Sequence, residues 1–141
     1  MRLFLDASVL LAACGSATGA SRAIFRHAAA QGWVLITVPY ALHEVLNNLP
    51  DFPPAASAEW ARLRPQLLVM DDILTVDRPA VFFAGKDRPI LFSALAWADV
   101  LLTLDRSDFA GLLGRSFYEL RVLKPGPFIR EERESGRLPE V

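Results

Sequence analysis

Four carboxylates fall in separate segments beside apolar runs: Asp6 in LFLDASVLLA, Glu44 in PYALHEVLNNL, Asp87 in KDRPILFSALAWA and Asp105 just past VLLT. An ionised carboxylate is costly to desolvate unless something compensates its charge. Acids that converge repel one another, and a hard divalent cation held by oxygen is the usual compensation. A cation held this way activates water and neutralises charge on a phosphoryl group under in-line attack. The pattern points to metal-assisted phosphoryl chemistry, provided that the four segments meet.

Each acid also has a local explanation. Asp6 and Asp87 both precede helical stretches and suit N-cap positions. Asp105 and Asp108 suit a turn, with Ser107 or Asp108 capping a short helix at Phe109. Glu44 reads as a solvated glutamate, because the apolar stripe of its helix is Leu42, Val45, Leu46 and Leu49. Asp99 ends a helix and enters a strand. Arg22 and Arg106 are possible phosphate contacts, but solvated arginine is the commoner outcome. Trp33, Trp60 and Trp97 could stack on bases, though in so apolar a chain a core or interface role is favoured. His27 and His43 have no partner pattern, and the lone Cys14 excludes an internal disulfide or cysteine cage.

Convergence requires strands that end at one edge. LFLDA, WVLITVP, VLLT and ELRVL read as strands, with LLVM and DILTV strand-like between residues 67 and 76. Helices are expected from SVLLAACG to Gly15, from about Ser21 to Gln31 with Gly32 as the stop, and from Pro39. Further helices follow in AASAEWARL, stopped by Pro65, and in KDRPILFSALAWA, with a polar helical C-terminal tail from about residue 125. Strands alternating with helices indicate an α/β domain with a mainly parallel sheet. Continuous apolar strands imply helices on both faces, a three-layer α/β/α arrangement. Ligands of such sheets bind at the carboxyl ends of the strands, where Asp6 and Asp105 fall.

The chain has 141 residues, 52% of them hydrophobic, and a net charge of −1. This is the size of one domain, residues 1–141, able to bury a proper core. The near-zero charge counts mildly against a passive nucleic-acid binder. It counts less against a nuclease whose carboxylates await a cation. No apolar run approaches the ~20 residues needed to cross a bilayer. Asp6 interrupts what would be the apolar core of a signal peptide, so a reducing cytoplasm is the expected setting.

Taken together, LFLDASVLLA, PYALHEVLNNL, KDRPILFSALAWADVLLTLDRSDF and ELRVLKPGPFI resemble the PIN-domain family, especially VapC-like toxins, over residues 2 to 129. The resemblance implies an α/β/α fold and cleavage of RNA dependent on magnesium or manganese. It matches Asp6, Glu44, Asp87 and Asp105 to the four acids and Asp108 to an auxiliary one. Asp6, Asp87 and Asp105 would hold the metal, with Glu44 orienting or deprotonating water. Ser8 and Thr103 match polar positions that support the ligands by hydrogen bonding. Either Asp105 or Asp108 could be the main fourth acid. Many such toxins are homodimers silenced by a protein antitoxin; some relatives trim ribosomal RNA precursors, and some are inactive.

Two other enzyme or binding classes fit less well. An aspartyl-nucleophile phosphohydrolase wants D-x-D, and the third position here is Ser8. GSATGAS lacks the G-x-G-x-x-G spacing of a dinucleotide site. A metal-free RNA-binding or regulatory domain remains the non-enzymatic alternative.

Overall fold

Continuous apolar runs become strands buried on both faces, and their ends set the level of the site. The computed structural model describes residues 1–73, 88–105 and 112–139. In chain order these form β1 (Arg2–Leu5), α1 (Ala7–Gly15), α2 (Ala20–Gln31), β2 (Val34–Thr37), α3 (Pro39–Asn48), α4 (Pro54–Leu63) and β3 (Leu68–Val69). After the undescribed segment come α5 (Arg88–Trp97), β4 (Val100–Leu102), β5 (Arg115–Phe117), β6 (Leu120–Leu123) and α6 (Pro125–Glu134). Short 3-10 turns, Leu49–Asp51 and Arg64–Gln66, follow α3 and α4 where Pro50 and Pro65 stop the helices. Gly32 takes the left-handed φ of 68° that closes α2.

The strands form one sheet in the order β3-β2-β1-β4-β6-β5, parallel except for β5 against β6. Leu3 of β1 lies opposite Leu35 of β2 and Val100 of β4. Alternation along the strands divides the core. Leu3, Leu5, Leu102 and Leu123 pack with residues of α1, α2, α4 and α6. Phe4, Ile36, Leu101 and Val122 face Ile90, Leu91 and Ala94 of α5 and Ala41 of α3. The expected α/β/α layering is what the chain adopts. No described helix is long and apolar enough to cross a membrane; α1 and α2 pass as a bent pair by composition only, and both line the core.

The hydrogen-bond ladder continues one step past the strands at the carboxyl edge. Asp6 N–H donates to Leu102 O at 3.1 Å, and Thr103 N–H donates to Leu123 O at 3.0 Å. Asp6 and Thr103 are therefore held by backbone before their side chains meet. At the opposite edge Asp99 accepts from the backbone N–H of Arg2 at 2.7 Å. Asp99 clamps the start of β1, a role beyond ending a helix.

Three features differ from the sequence reading. RSFYELRVL contains a hairpin, with β5 unforeseen, whose two-residue turn is Tyr118-Glu119 at φ 49° and 72°. Such turns favour Asn-Gly, so the sequence carries no turn signal here. Leu46 is 58% exposed and does not join the buried stripe of α3. LLVM supplies only a two-residue strand, and Asp71–Ile73 are irregular but stitched down. Asp72 accepts from Tyr40 N–H at the start of α3, Trp97 Nε1 donates to Asp71 O, and Ile73 N–H donates to Ser93 Oγ. Residues 74–76 of DILTV lie outside the described residues.

The left-handed backbone at Glu119 costs a non-glycine residue roughly 1–2 kcal/mol. Glu119→Gly should therefore raise stability in urea denaturation by about 0.5–1 kcal/mol, net of glycine's larger unfolded-state entropy. A destabilised variant would contradict the turn geometry.

Candidate active site

Asp6 sits where β1 gives way to α1, and its two oxygens do different work. It is the N-cap of α1, with extended φ and ψ of −69° and 159°, and Oδ1 accepts the Ala7 N–H at 2.8 Å. Oδ2 accepts from Thr103 Oγ1 at 2.8 Å and from Ser8 Oγ at 3.3 Å. Each hydroxyl in turn accepts a backbone N–H: Leu104 donates to Ser8 Oγ at 3.0 Å, and Asp105 to Thr103 Oγ1 at 3.1 Å. The loop after β4 is thus tied through two hydroxyls to one carboxylate oxygen. Capping and a site role are compatible at Asp6, because the cap occupies only Oδ1.

Asp6 is 5% exposed and Thr103 fully buried. Burial pushes the Asp6 carboxyl above its ordinary value, the bonds from Thr103, Ala7 and Ser8 pull it back down, and the charge of Asp105 pushes it up again. The backbone brings two acids close enough to interact unfavourably, at the carboxyl edge of adjacent strands. Magnesium is commonly held by one or two carboxylates together with waters, and this pair supplies hard oxygen donors of that kind. Among the described residues, no three His, Cys, Asp or Glu side chains form a group that could hold a metal ion. Glu44 is half-buried in the middle of α3 and is not part of such a group with Asp6 and Asp105. Asp87 and Asp108 lie outside the described residues, as does Arg106.

Other candidates are accounted for by packing. Arg22 donates from Nε to Ala13 O and from Nη2 to Glu59 at 2.7 Å, so it is a structural cross-link between α1, α2 and α4. Trp33 and Trp60 are buried in the core, and Trp33 lies 5.2 Å from the ring of Phe128. Cys14 is buried, which pushes its thiol up to about 11 and leaves no thiolate nucleophile at neutral pH. One charged group escaped sequence reading: Glu132, 1% exposed, is held by Arg137 Nε at 2.6 Å. It falls on the same α6 stripe as Phe128 and Ile129, and that spacing was the available signal.

No protein-family model matches the chain, and no curated protein matches it. Solved structures do. One is a chain in the crystal structure of VapBC2 from Rickettsia felis bound to a DNA fragment from their promoter. It superposes with a TM-score of 0.60 at 12% identity, over 86% of this chain and 97% of that one. Another is VapC20 from Mycobacterium tuberculosis, described as a Sarcin-Ricin loop cleaving toxin, with a TM-score of 0.48 and 22% identity over 84% and 98% of the two chains. The chain has the PIN-like fold of the VapC toxins. At 12% identity the likeness establishes fold and leaves activity to the site.

Two outcomes follow from the Asp6 node. Its carboxyl is raised in the folded protein, so its contribution to stability is complete below the ordinary value of 3.8 and is lost as pH rises toward the folded value. Asp6→Asn keeps an oxygen for the cap and removes that loss. In chelator, the variant should melt higher than wild type at pH 7, with the gap closing as pH falls toward 4. A gap independent of pH would contradict the assignment. Thr103→Val strips the donor from Asp6 and leaves the Asp105 N–H without its acceptor, and should cost about 1–3 kcal/mol in urea denaturation.

Proposed function

We propose that the chain is a metal-dependent endoribonuclease, the toxin of a type II toxin–antitoxin pair, acting in the cytoplasm. The observation that carries the reading is the Asp6 carboxylate, buried beside Asp105 and held by Ser8 and Thr103. Two like charges kept together at one edge of the sheet are stable as a pair when a cation shares them. The PIN-like fold, which the chain shares with the VapBC2 chain from Rickettsia felis, is compatible with this reading.

In this proposal Asp6, Asp87 and Asp105 would hold magnesium or manganese, directly or through water. The bound ion would neutralise charge on the scissile phosphate and lower the pKa of water. Ser8 and Thr103 fix the Asp6 carboxylate so that Oδ2 stays aimed by two hydroxyls while Oδ1 caps α1. Glu44 would accept a proton from the attacking water or orient it, and Asp108 would act as an auxiliary acid. The partners proposed are an RNA substrate, a protein antitoxin and a second copy of the chain.

Purified protein should cleave a generic RNA with magnesium or manganese, and excess EDTA should stop it. Ser8→Ala should lower activity by about 10–100-fold, the usual cost of losing a group that orients a ligand. Asp87→Asn preserves any helix cap, because Asn caps as well as Asp. It should nevertheless abolish cleavage. Induction of the chain alone should arrest bacterial growth, and Asp6→Ala should relieve the arrest. Full cleavage in EDTA, or wild-type cleavage by Asp87→Asn, would remove the metal mechanism.

A further inference from the structure

A second charged feature lies away from the carboxylates, between α2 and α6. A cavity of about 280 Å³ is lined by Thr18, Gly19, Arg26, Gly126, Arg130 and Arg133, among others, and no carboxylate of the described residues lines it. Five other arginines of the described residues are paired: Arg2 with Asp99, Arg22 and Arg62 with Glu59, Arg121 with Glu131, and Arg137 with Glu132, whereas Arg64 and Arg115 stand apart on other elements. None of Arg26, Arg130 and Arg133 forms an ion pair with a described carboxylate. Arg26 spends one nitrogen on Ala17 O at 3.1 Å and keeps the rest of its fork. The Nε of Arg133 is buried with no acceptor at all. A buried donor left unmade is costly, and three guanidinium groups with no counter-charge among the described residues repel.

The cavity also opens on the start of α2. Its N-cap is Gly19, which offers no side-chain acceptor, so the first-turn N–H groups of this twelve-residue helix lack a cap. Exposed N–H groups at a helix start add partial positive charge. The missing component is an oxyanion with several acceptors. Arginine suits a phosphate because its planar fork meets two oxygens at once.

We infer that Arg26, Arg130 and Arg133, with the start of α2, form a phosphate site that grips the backbone of a bound RNA strand outside the cleavage centre. The identity of the strand rests on the ribonuclease reading above; the cation cluster does not. A strand is favoured over a small anion because Arg26 also borders a second groove of about 450 Å³, whose Arg22 and Arg62 are already paired with Glu59. The site would fix the strand's path and contribute affinity without reading bases.

The test is binding of a fluorescent single-stranded RNA to the full chain in EDTA, where cleavage is not required, at several salt concentrations. Arg130 is exposed, so Arg130→Gln should fold normally. Each lost phosphate contact should flatten the log–log salt slope by about 0.7 and weaken binding about fivefold at 0.1 M salt. Gly126→Asp is the second variant. A Cβ at Gly126 meets nothing within 4 Å, and the new carboxylate would neutralise the cluster without removing an arginine. It should weaken RNA binding as strongly. Arg115→Gln, on the edge strand β5, should leave the slope unchanged.

Unchanged slopes in Arg130→Gln and Gly126→Asp would overturn the site, even if wild type cleaves RNA. An equal loss in Arg115→Gln would overturn it too, as diffuse attraction, and so would tighter binding of poly-glutamate than of RNA. The expected slope changes in a protein that cleaves nothing would support the site and leave the ribonuclease reading as the part that failed.

Discussion

One carboxylate oxygen, Oδ2 of Asp6, gathers the carboxyl edge of the sheet. Through Ser8 it reaches the N–H of Leu104, and through Thr103 the N–H of Asp105. The loop that leaves β4 is therefore positioned by the residue that leaves β1, 97 positions earlier. Backbone bonds from Asp6 to Leu102 and from Thr103 to Leu123 bring the two residues level before these side chains engage. The sheet supplies the register, and the hydroxyls convert register into side-chain position.

This arrangement is a poor choice for stability alone. A buried carboxylate beside another acid loses solvation and gains repulsion, and the three hydrogen bonds offset only part of that. An apolar residue with a serine cap nearby would serve the fold better. Strained electrostatics of this kind concentrate where a site needs them. The arginine cavity between α2 and α6 has the opposite sign and a similar logic: charge gathered without its complement.

Much of the fold was legible because the strands are uninterrupted apolar runs and the helices are punctuated. Pro39 starts α3, Gly32 ends α2, and Pro65 follows α4. β5 was not legible, since an edge strand of Arg-Ser-Phe gains its structure from pairing with β6 and its turn lacks glycine. Leu46 broke the expected stripe because partners cover only part of α3. At Asp6, sequence posed cap and ligand as rivals, and only coordinates could divide the two oxygens between them. The backbone neighbours of Ser8 and Thr103 were equally invisible, since hydrogen bonds across 96 and 97 positions leave no local pattern. The arginine cavity joins α2 to α6 by packing alone.

The central claim is that Asp6 and Asp105 share a divalent cation. Titration of the metal-free protein with manganese, followed by the electron paramagnetic resonance signal of the free ion, tests it without RNA or turnover. Wild type should remove manganese from solution and release protons as it does so, because cation binding competes with protonation of the carboxylates. Asp6→Asn and Asp105→Asn should each weaken uptake at least about tenfold while remaining folded. Uptake unchanged in both variants, or no uptake by wild type at millimolar manganese, would contradict the account.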